Sequence, residues 1–285
     1  IVIPSVSPEG DAVISIHFSA FANCSRLTSI EIPNSVTSIG QAAFSNCINL
    51  PIINLPSKLT SISANLFAGC QSLVKINFPT QIKTIWDFAF GNCVALNEIT
   101  ITENVESIRN SAFSGCTNLK TINILNGSSI LELGYNRVEN DYCYPMFEDC
   151  PIETIFIGRN IKSNSRDRSY NRLGCFANNK SIRTVVFGDN VTSIEQSAFK
   201  GCTSLNSIII PRNITSIGDW AFYNSGLNDL VFESGSEALK FELKVGSWDY
   251  KTPHTFQYCN ISSISLGRNI VISGGSQNPS LKIRR

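Results

Sequence analysis

The sequence is poor in charge and contains no long hydrophobic run. Only 16% of its 285 residues are charged, and the formal net charge is +1. A chain this close to neutral has no overall field that favours nucleic acid or an acidic membrane, so neither is predicted as a partner. No apolar run reaches the roughly 18 residues that a membrane-spanning helix needs, so no membrane insertion is predicted for this segment. Most of the polar surface must come from Ser, Thr and Asn.

Signatures of catalysis are also missing. The chain has two histidines: His17 occupies a turn position of the repeat described below, and His254 has no Cys, Asp or second His at a ligand spacing. There is no phosphate-binding loop, no Gly-x-Gly-x-x-Gly, no Gly-x-Ser-x-Gly and no His-Glu-x-x-His. The acidic residues show no pairing typical of general acid–base catalysis. We therefore expect no enzymatic activity, no cofactor and no metal site.

Phenylalanine, in contrast, recurs at a regular spacing. The commonest step between successive repeat phenylalanines is 23 residues, and longer steps of 34, 29 and 34 residues interrupt the series. The ten positions are Phe21, Phe44, Phe67, Phe90, Phe113, Phe147, Phe176, Phe199, Phe222 and Phe256. A period of this size predicts a solenoid, because one repeat cannot bury its apolar side without its neighbours. We predict a single repeat domain over residues 1–285.

Each repeat contains two short patterns that predict strands. Residues 30–32 alternate between apolar and polar side chains, which is typical of a half-buried strand. A turn that contains Pro and Asn follows, and residues 36–39 predict a second short strand. Residues 40–47 are too few for a stable isolated helix, so we expect a single helical turn or a 3₁₀ segment there.

The complete repeat is Phe-x-x-Cys-x-x-Leu-x-x-Ile-x-Ile-Pro, then Val-Thr-Ser-Ile-Gly, then x-x-Ala-Phe. Residues 27–47 carry the motif, and the other repeats follow it in register. This pattern resembles the leucine-rich repeat in its 23-residue BspA-like (Treponema-type) form. The resemblance implies an α/β leucine-rich-repeat solenoid, mostly parallel β with short helical or 3₁₀ turns, wound as a right-handed superhelix of about ten repeats. It also implies a cell-surface or secreted protein that binds host or matrix proteins, although repeat scaffolds change partners freely.

Eight of the ten cysteines stand three residues after a repeat phenylalanine. They are Cys24, Cys47, Cys70, Cys93, Cys116, Cys150, Cys202 and Cys259. Equivalent side chains in a stack point the same way and cannot converge on one ion, so we predict a column of buried thiols rather than a metal site. The other two, Cys143 and Cys175, lie beside irregular segments of adjacent repeats. Both a disulfide between them and two free thiols are compatible with the sequence.

Three repeats carry insertions, near residues 125–146, 162–175 and 233–255. Insertions in repeat proteins often mark the binding face, and aromatic side chains with a polar tip are favoured at interfaces. The candidate partner contacts here are Tyr142, Tyr144, Tyr170, Trp248 and Tyr250, with Arg159, Arg166 and Arg168 as candidate basic contacts. This composition indicates a surface for an anionic or glycan-bearing partner. Loops that only pack against the solenoid are the alternative.

A second candidate surface lies on the first strand of each repeat. The outward position between its two core residues is polar in the N-terminal half and apolar at Phe156, Val186, Ile209 and Val231. In one register these four side chains form what we call the apolar strip, about 15 Å wide. Either a partner covers the strip or the insertions of the chain itself cover it. Self-coverage is slightly favoured, because the strip begins where the insertions begin.

These patterns predict a non-enzymatic cell-surface or secreted protein that binds a protein or glycan ligand in an adhesion-type interaction. The alternatives are a structural spacer that presents another domain and an intracellular interaction scaffold. No export signal or anchor is recognisable in the sequence. Its first residues resemble the end of a strand, so we expect the chain to be part of a longer protein.

Overall fold

The structure is a computed structural model that describes residues 1–134, 146–164, 174–242 and 254–273. It contains short β-strands, numbered here in chain order, and most repeats contribute two. The first strands are β3 (Ile52–Ile53), β5 (Lys75–Ile76), β7 (Glu98–Ile101), β9 (Thr121–Ile124), β11 (Thr154–Arg159), β13 (Thr184–Asn190), β15 (Ser207–Ile210), β17 (Asp229–Phe232) and β19 (Ser263–Leu266). The second strands are β1 (Ser15–Ile16), β2 (Ser38–Ile39), β4 (Ser61–Ile62), β6 (Thr84–Ile85), β8 (Ser107–Ile108), β10 (Leu131–Leu133), β12 (Ile161–Ser163), β14 (Ser193–Ile194), β16 (Ser216–Ile217), β18 (Leu239–Glu242) and β20 (Ile270–Ser273).

Every pairing between these strands is parallel and joins equivalent positions of neighbouring repeats, except at the end of β11, where a register shift places Arg159 opposite Asn190. Ile122, for example, lies opposite Ile99 on one side and Ile155 on the other. The first strands pair as β3–β5, β7–β9–β11–β13 and β15–β17–β19. The second strands pair as β1–β2, β4–β6–β8–β10–β12 and β14–β16–β18–β20. The prediction of a repeat protein built from parallel strands is confirmed.

The segment between the second strand and the repeat phenylalanine differs from the prediction. No helix occurs among the described residues, so the helical part of the predicted α/β class is wrong for them. The amide of Ser45 donates to the carbonyl of Ala42 three residues back, at 3.0 Å, but the next amide towards the N-terminus, that of Phe44, donates to Leu66 of the following repeat, also at 3.0 Å. A helix directs every N–H along its own chain. Stacking instead gives alternate amides a partner in the adjacent repeat, and the segment pairs like a strand.

This alternation depends on left-handed backbone at two positions of the repeat. Two residues before the phenylalanine, positive φ angles occur at Ser19, Ala42, Asn65, Phe88, Ser111, Ser197 and Trp220. Two residues after it, they occur at Asn23, Asn46, Gly69, Asn92, Gly115, Asp149, Asn178, Gly201, Asn224 and Tyr258. Asn and Gly are frequent because they adopt this conformation at low cost, whereas bulky aromatic residues rarely do.

The core is organised around the repeat phenylalanines. Successive rings lie 5.1–5.9 Å apart between centroids and within 21° of parallel, from Phe21 to Phe256. Rings inside the column are buried, whereas Phe21 and Phe256 at its two ends are only partly buried. Leu, Ile and Val side chains of both strands surround the column. Among the described residues, no helix is long and apolar enough to cross a membrane.

Candidate functional site

The apolar strip lies on the first strands, and its members face each other across neighbouring strands. Phe156 pairs with Val186, and Ile209 pairs with Val231. Towards the N-terminal repeats the same row becomes polar, since Phe156 also lies opposite Asn123. Within each of the two sheets, the structure therefore brings together the residues that the sequence predicts to be neighbours.

Three members of the strip are exposed. Val186 is 48% exposed, Ile209 is 55% exposed and Val231 is 36% exposed. Phe156 is half-buried because its ring lies against Gly188: a Cβ atom on that glycine would stand 3.1 Å from Cζ of Phe156. The absence of a side chain on Gly188 therefore leaves room for the aromatic ring at one end of the strip, and the aliphatic members stay open to solvent.

The predicted self-coverage of the strip is not seen among the described residues, since its three aliphatic members remain exposed. The insertions invoked for that coverage fall mainly on residues 135–145, 165–173 and 243–253, which lie outside the described residues.

A groove of about 540 Å³ opens over the junction between β13 and β15, which belong to different sheets. Its lining includes Val186, Ile209, Pro211 and Val231, with Arg183 and Glu233. Arg183 and Glu233 are both exposed, so charges of both signs lie beside the aliphatic floor. An apolar centre with a polar rim is the usual composition of a protein–protein contact.

The polar half of the same sheet face has a smaller groove of about 230 Å³. Lys75, Asn77, Glu98 and Thr100 line it. The side-chain Nδ2 of Asn123 donates to Oε1 of Glu98 at 2.8 Å, so polar side chains on this half form hydrogen bonds with each other across the strands. The two halves of one face therefore offer different chemistry to a partner.

The prediction that Arg159 belongs to an exposed basic surface is wrong. Its side chain is 1% exposed, and its Nη1 and Nη2 atoms donate to the carbonyl oxygens of Glu103 at 2.6 Å and Thr102 at 2.8 Å. Arg159 is buried because of the long repeat that lies between it and these two carbonyl groups. Its turn is enlarged around Gly127, and the arginine passes so close that a Cβ atom there would stand 3.0 Å from its Cδ. Burial lowers the pKa of the Arg159 guanidinium, and nearby carboxylates such as that of Glu103 oppose the shift.

Arg268 repeats this arrangement after the second 34-residue repeat. Its Nη1 donates to the carbonyl of Arg212 at 2.8 Å and its Nη2 to that of Pro211 at 2.9 Å. The spacings of 56 and 57 residues equal those of Arg159. We call each of these arrangements an arginine clamp. The Gly-Arg-Asn sequence shared by residues 158–160 and 267–269 is the signal that identifies both.

The other predicted contacts in the insertions lie outside the described residues. They are Tyr142, Tyr144, Arg166, Arg168, Tyr170, Trp248 and Tyr250. Cys143 also lies outside them, whereas Cys175 is described and is partly buried. The contact roles and the disulfide therefore stay predictions.

The cysteine column is both apolar filling and a set of hydrogen-bond donors. The thiol of Cys70 donates to the carbonyl of Phe44 at 3.1 Å, and Cys93 donates to Phe67 in the same way at 3.1 Å. Burial raises the pKa of the Cys47 thiol to about 11 and that of Cys70 to about 12. In the described part of the chain, no group of three or more His, Cys, Asp or Glu side chains is placed to hold a metal ion.

The buried thiols of the folded protein should be almost inert towards Ellman's reagent at pH 8. A thiol whose pKa is about 12, such as Cys70 or Cys202, is almost entirely protonated at that pH, and the thiolate is the reactive form. Cys24, only partly buried in the first repeat, should react first. Thiol titration before and after denaturation checks this; ten thiols in the unfolded, unreduced chain argue against a disulfide, and eight support one. Rapid modification of Cys70 in folded protein would contradict the expected protection.

One cluster that the repeat pattern does not predict lies on the turns of three consecutive repeats. The Nζ atom of Lys200 stands 4.8 Å from the ring centroid of Trp220 and 5.4 Å from that of Tyr223. Tyr223 meets Tyr258 edge to face, with centroids 5.2 Å apart and planes at 89°. We call these four side chains the aromatic cluster. Of the seven tyrosines, Tyr223 and Tyr258 are the two that lie outside the insertions, and this distribution could have identified the cluster from the sequence.

Comparison with known proteins identifies the repeat. The family model described as "BspA type Leucine rich repeat region", in 6 copies, matches residues 14–142 and 171–243. No curated protein matches the chain.

Several solved structures are similar to the chain, among them three bacterial leucine-rich repeat proteins. A leucine-rich repeat protein from Bacteroides ovatus is 22% identical, with a TM-score of 0.41, over 96% of this chain and 92% of that one. The T. pallidum leucine-rich repeat protein is 24% identical, with a TM-score of 0.46, over 72% and 77%. A leucine-rich cell surface protein from Faecalibacterium prausnitzii is 22% identical, with a TM-score of 0.34, over 96% and 88%.

The assignment rests on the sequence match, which covers more than half of the chain and extends on both sides of the first long insertion. It agrees with the parallel strands and with the column of repeat phenylalanines. The chain belongs to the BspA-type leucine-rich repeat family.

Proposed function

We propose that this chain is a non-enzymatic cell-surface or secreted protein that binds another protein through the apolar strip. The observation that carries the proposal is the row of three exposed aliphatic side chains, Val186, Ile209 and Val231, beside a groove at the junction of two parallel sheets. Contiguous exposed apolar side chains with a polar rim often mark interaction sites. Membership of the BspA-type family supports both the proposed binding role and the proposed location. Leucine-rich repeats generally serve as interaction modules, and this type is typical of surface proteins.

The chemistry of the strip favours a protein over a glycan. Its exposed members are aliphatic, and the aromatic member, Phe156, is half-buried against the sheet. Burying aliphatic groups releases water from a partner's apolar side chains, whereas Arg183 and Glu233 on the rim supply charges that orient the partner. The strands that hold these residues are fixed by neighbouring repeats, so little ordering is needed on binding.

The test is a binding screen with a matched pair of variants. Ile209→Asp places a charge in the centre of the strip, and Thr100→Asp places the same charge in the polar half of the same row. Against a panel of purified extracellular-matrix proteins, Ile209→Asp should weaken binding at least about tenfold, a change of about 1.4 kcal/mol, and Thr100→Asp should leave binding nearly unchanged. Thermal unfolding of both variants should match the parent protein.

Other results separate the alternatives. Equal binding by the parent and Ile209→Asp would remove the strip from the proposal. Silence of the folded parent across the whole panel would favour a structural spacer instead. Phe156→Asp adds a further distinction: loss of binding with an intact fold supports a partner site, and global unfolding supports coverage of the strip by the chain itself.

A further inference from the structure

The aromatic cluster places bulky side chains where the repeat normally has small ones. Trp220 has a φ angle of 59° and Tyr258 a φ angle of 62°. Most other repeats hold Ser, Ala, Asn or Gly at these left-handed positions, because such residues adopt them with less strain. Burial does not compensate for the strain at Tyr258, whose side chain is 66% exposed. Unfavourable backbone that persists at an exposed aromatic residue points to a function outside the fold.

Lys200 gives the cluster a positive charge. The ammonium lies over the rings of Trp220 and Tyr223, and among the described residues it forms no ion pair. Three other lysines, in contrast, each pair with a glutamate across repeats: Lys83, Lys120 and Lys162. A cation held on aromatic faces, with no ion pair in the described part of the chain, suits an anionic group supplied by a ligand.

The size and polarity of the cluster restrict that ligand. Tyr258 is the most exposed member, and the other three are half-buried, so the cluster offers a ligand far fewer side chains than the roughly 20–30 residues per partner of a stable protein interface. Exposed amide side chains border it: Asn224 and Gln257 lie on adjacent turns, where the backbone amide of Asn224 donates to the carbonyl of Gln257 at 2.8 Å. Aromatic rings for the C–H face of a sugar, amides for its hydroxyls and an ammonium for a carboxylate are the groups that an acidic saccharide needs.

We infer that the aromatic cluster is a binding site for a carboxylate-bearing saccharide, in which Tyr258 contacts the sugar ring and Lys200 pairs with the carboxylate. This site is separate from the apolar strip, because it lies on the turns rather than on the first strands. It goes beyond the proposed function, and either site can fail its test without affecting the other.

Titration of the whole chain with 3′-sialyllactose and with a hyaluronan hexasaccharide, followed by calorimetry and saturation-transfer NMR, tests the inference. We expect at least one of these acidic probes to bind with a Kd of about 1 mM, and uncharged lactose to bind about tenfold more weakly or not at all. Tyr258→Ala should weaken the binding about fivefold or more. Lys200→Gln should remove the preference for the acidic sugar over lactose, and added salt should weaken binding by the parent.

Phe88→Ala is the matched control. Phe88 is also an exposed aromatic residue at a left-handed turn position, 44% exposed with a φ angle of 53°, but it lies outside the cluster. This variant should bind the acidic probe as the parent does. No binding of either probe by folded protein at about 10 mM would overturn the inference. Equal losses in Phe88→Ala and Tyr258→Ala, or loss of matrix-protein binding in Tyr258→Ala without any saccharide binding, would overturn it as well.

Discussion

Replacing Phe113 by alanine should lower the free energy of unfolding by about 3–5 kcal/mol. The ring is fully buried and stacks between Phe90 and Phe147, at centroid distances of 5.1 and 5.5 Å. Its removal leaves a cavity bounded by two rings whose positions are fixed by their own repeats, so the gap has little room to close. Because a domain of this size has roughly 5–15 kcal/mol of stability in total, urea unfolding followed by circular dichroism should resolve the loss easily.

The same substitution at the end of the column gives the comparison. Phe21 is only partly buried and stacks on Phe44 at 5.4 Å. Phe21→Ala should therefore cost about 1–2 kcal/mol, since less area leaves water and the site borders solvent. Equal costs at Phe21 and Phe113 would show that local turn geometry, rather than the stacked column, accounts for the stability. A lower m-value in Phe113→Ala alone would indicate that the repeats on either side unfold separately.

The repeats could be located from the sequence because phenylalanine occupies the same position in each of them. Phenylalanine at a 23-residue period fixes the register, and the register in turn predicts which strand residues are neighbours. Phe156 and Val186 are paired for this reason, as are Ile209 and Val231. A sequence period predicts a regular stack of repeats well, because every repeat makes the same contacts with its neighbours.

The conformation of the turns was not predictable from one repeat alone. Residues 40–47 have the length and composition of a helical turn, but the acceptor for the amide of Phe44 is the carbonyl of Leu66, in the following repeat. Local reasoning considers only partners within the segment. The recurrence of Asn or Gly two residues after each phenylalanine, as at Asn46 and Gly69, was the available sign of left-handed backbone.

Arg159 shows the same limit for a charged residue. Its sequence neighbours include further arginines, which suggested a basic surface. Its burial depends instead on the enlarged turn around Gly127 in the preceding repeat and on two carbonyl groups of the repeat before that. Because this contact joins residues 56 positions apart, the composition of the sequence around Arg159 does not reveal it. Only the second occurrence of Gly-Arg-Asn, at residues 267–269, makes it recognisable.

Arg159→Met should lower the free energy of unfolding by about 2–4 kcal/mol, because it removes both guanidinium donors: the carbonyl oxygen of Glu103 loses its partner, and that of Thr102 keeps only the backbone amide of Val105, at 3.2 Å. Two effects oppose each other. Methionine fills much of the same volume and removes the cost of burying a charge, which in other proteins has made such replacements neutral. Here, however, the acceptors are backbone groups that the substitution cannot remove, so the loss of two charge-assisted hydrogen bonds should dominate. Arg159→Lys keeps the charge without the paired donors and should fall between the parent and the methionine variant.

Arg212→Met is the control for the arginine clamp. Arg212 has the same place in a regular repeat, before Asn213, but its side chain is exposed, so its replacement should change stability by less than about 0.5 kcal/mol. Chemical unfolding should then show a large loss in the free energy of unfolding for Arg159→Met and Arg268→Met, and a negligible loss for Arg212→Met. A neutral or stabilising Arg159→Met would mean that the cost of burying the guanidinium equals or exceeds what its hydrogen bonds contribute. The enlarged turn, rather than the clamp, would then hold the long repeat in the stack.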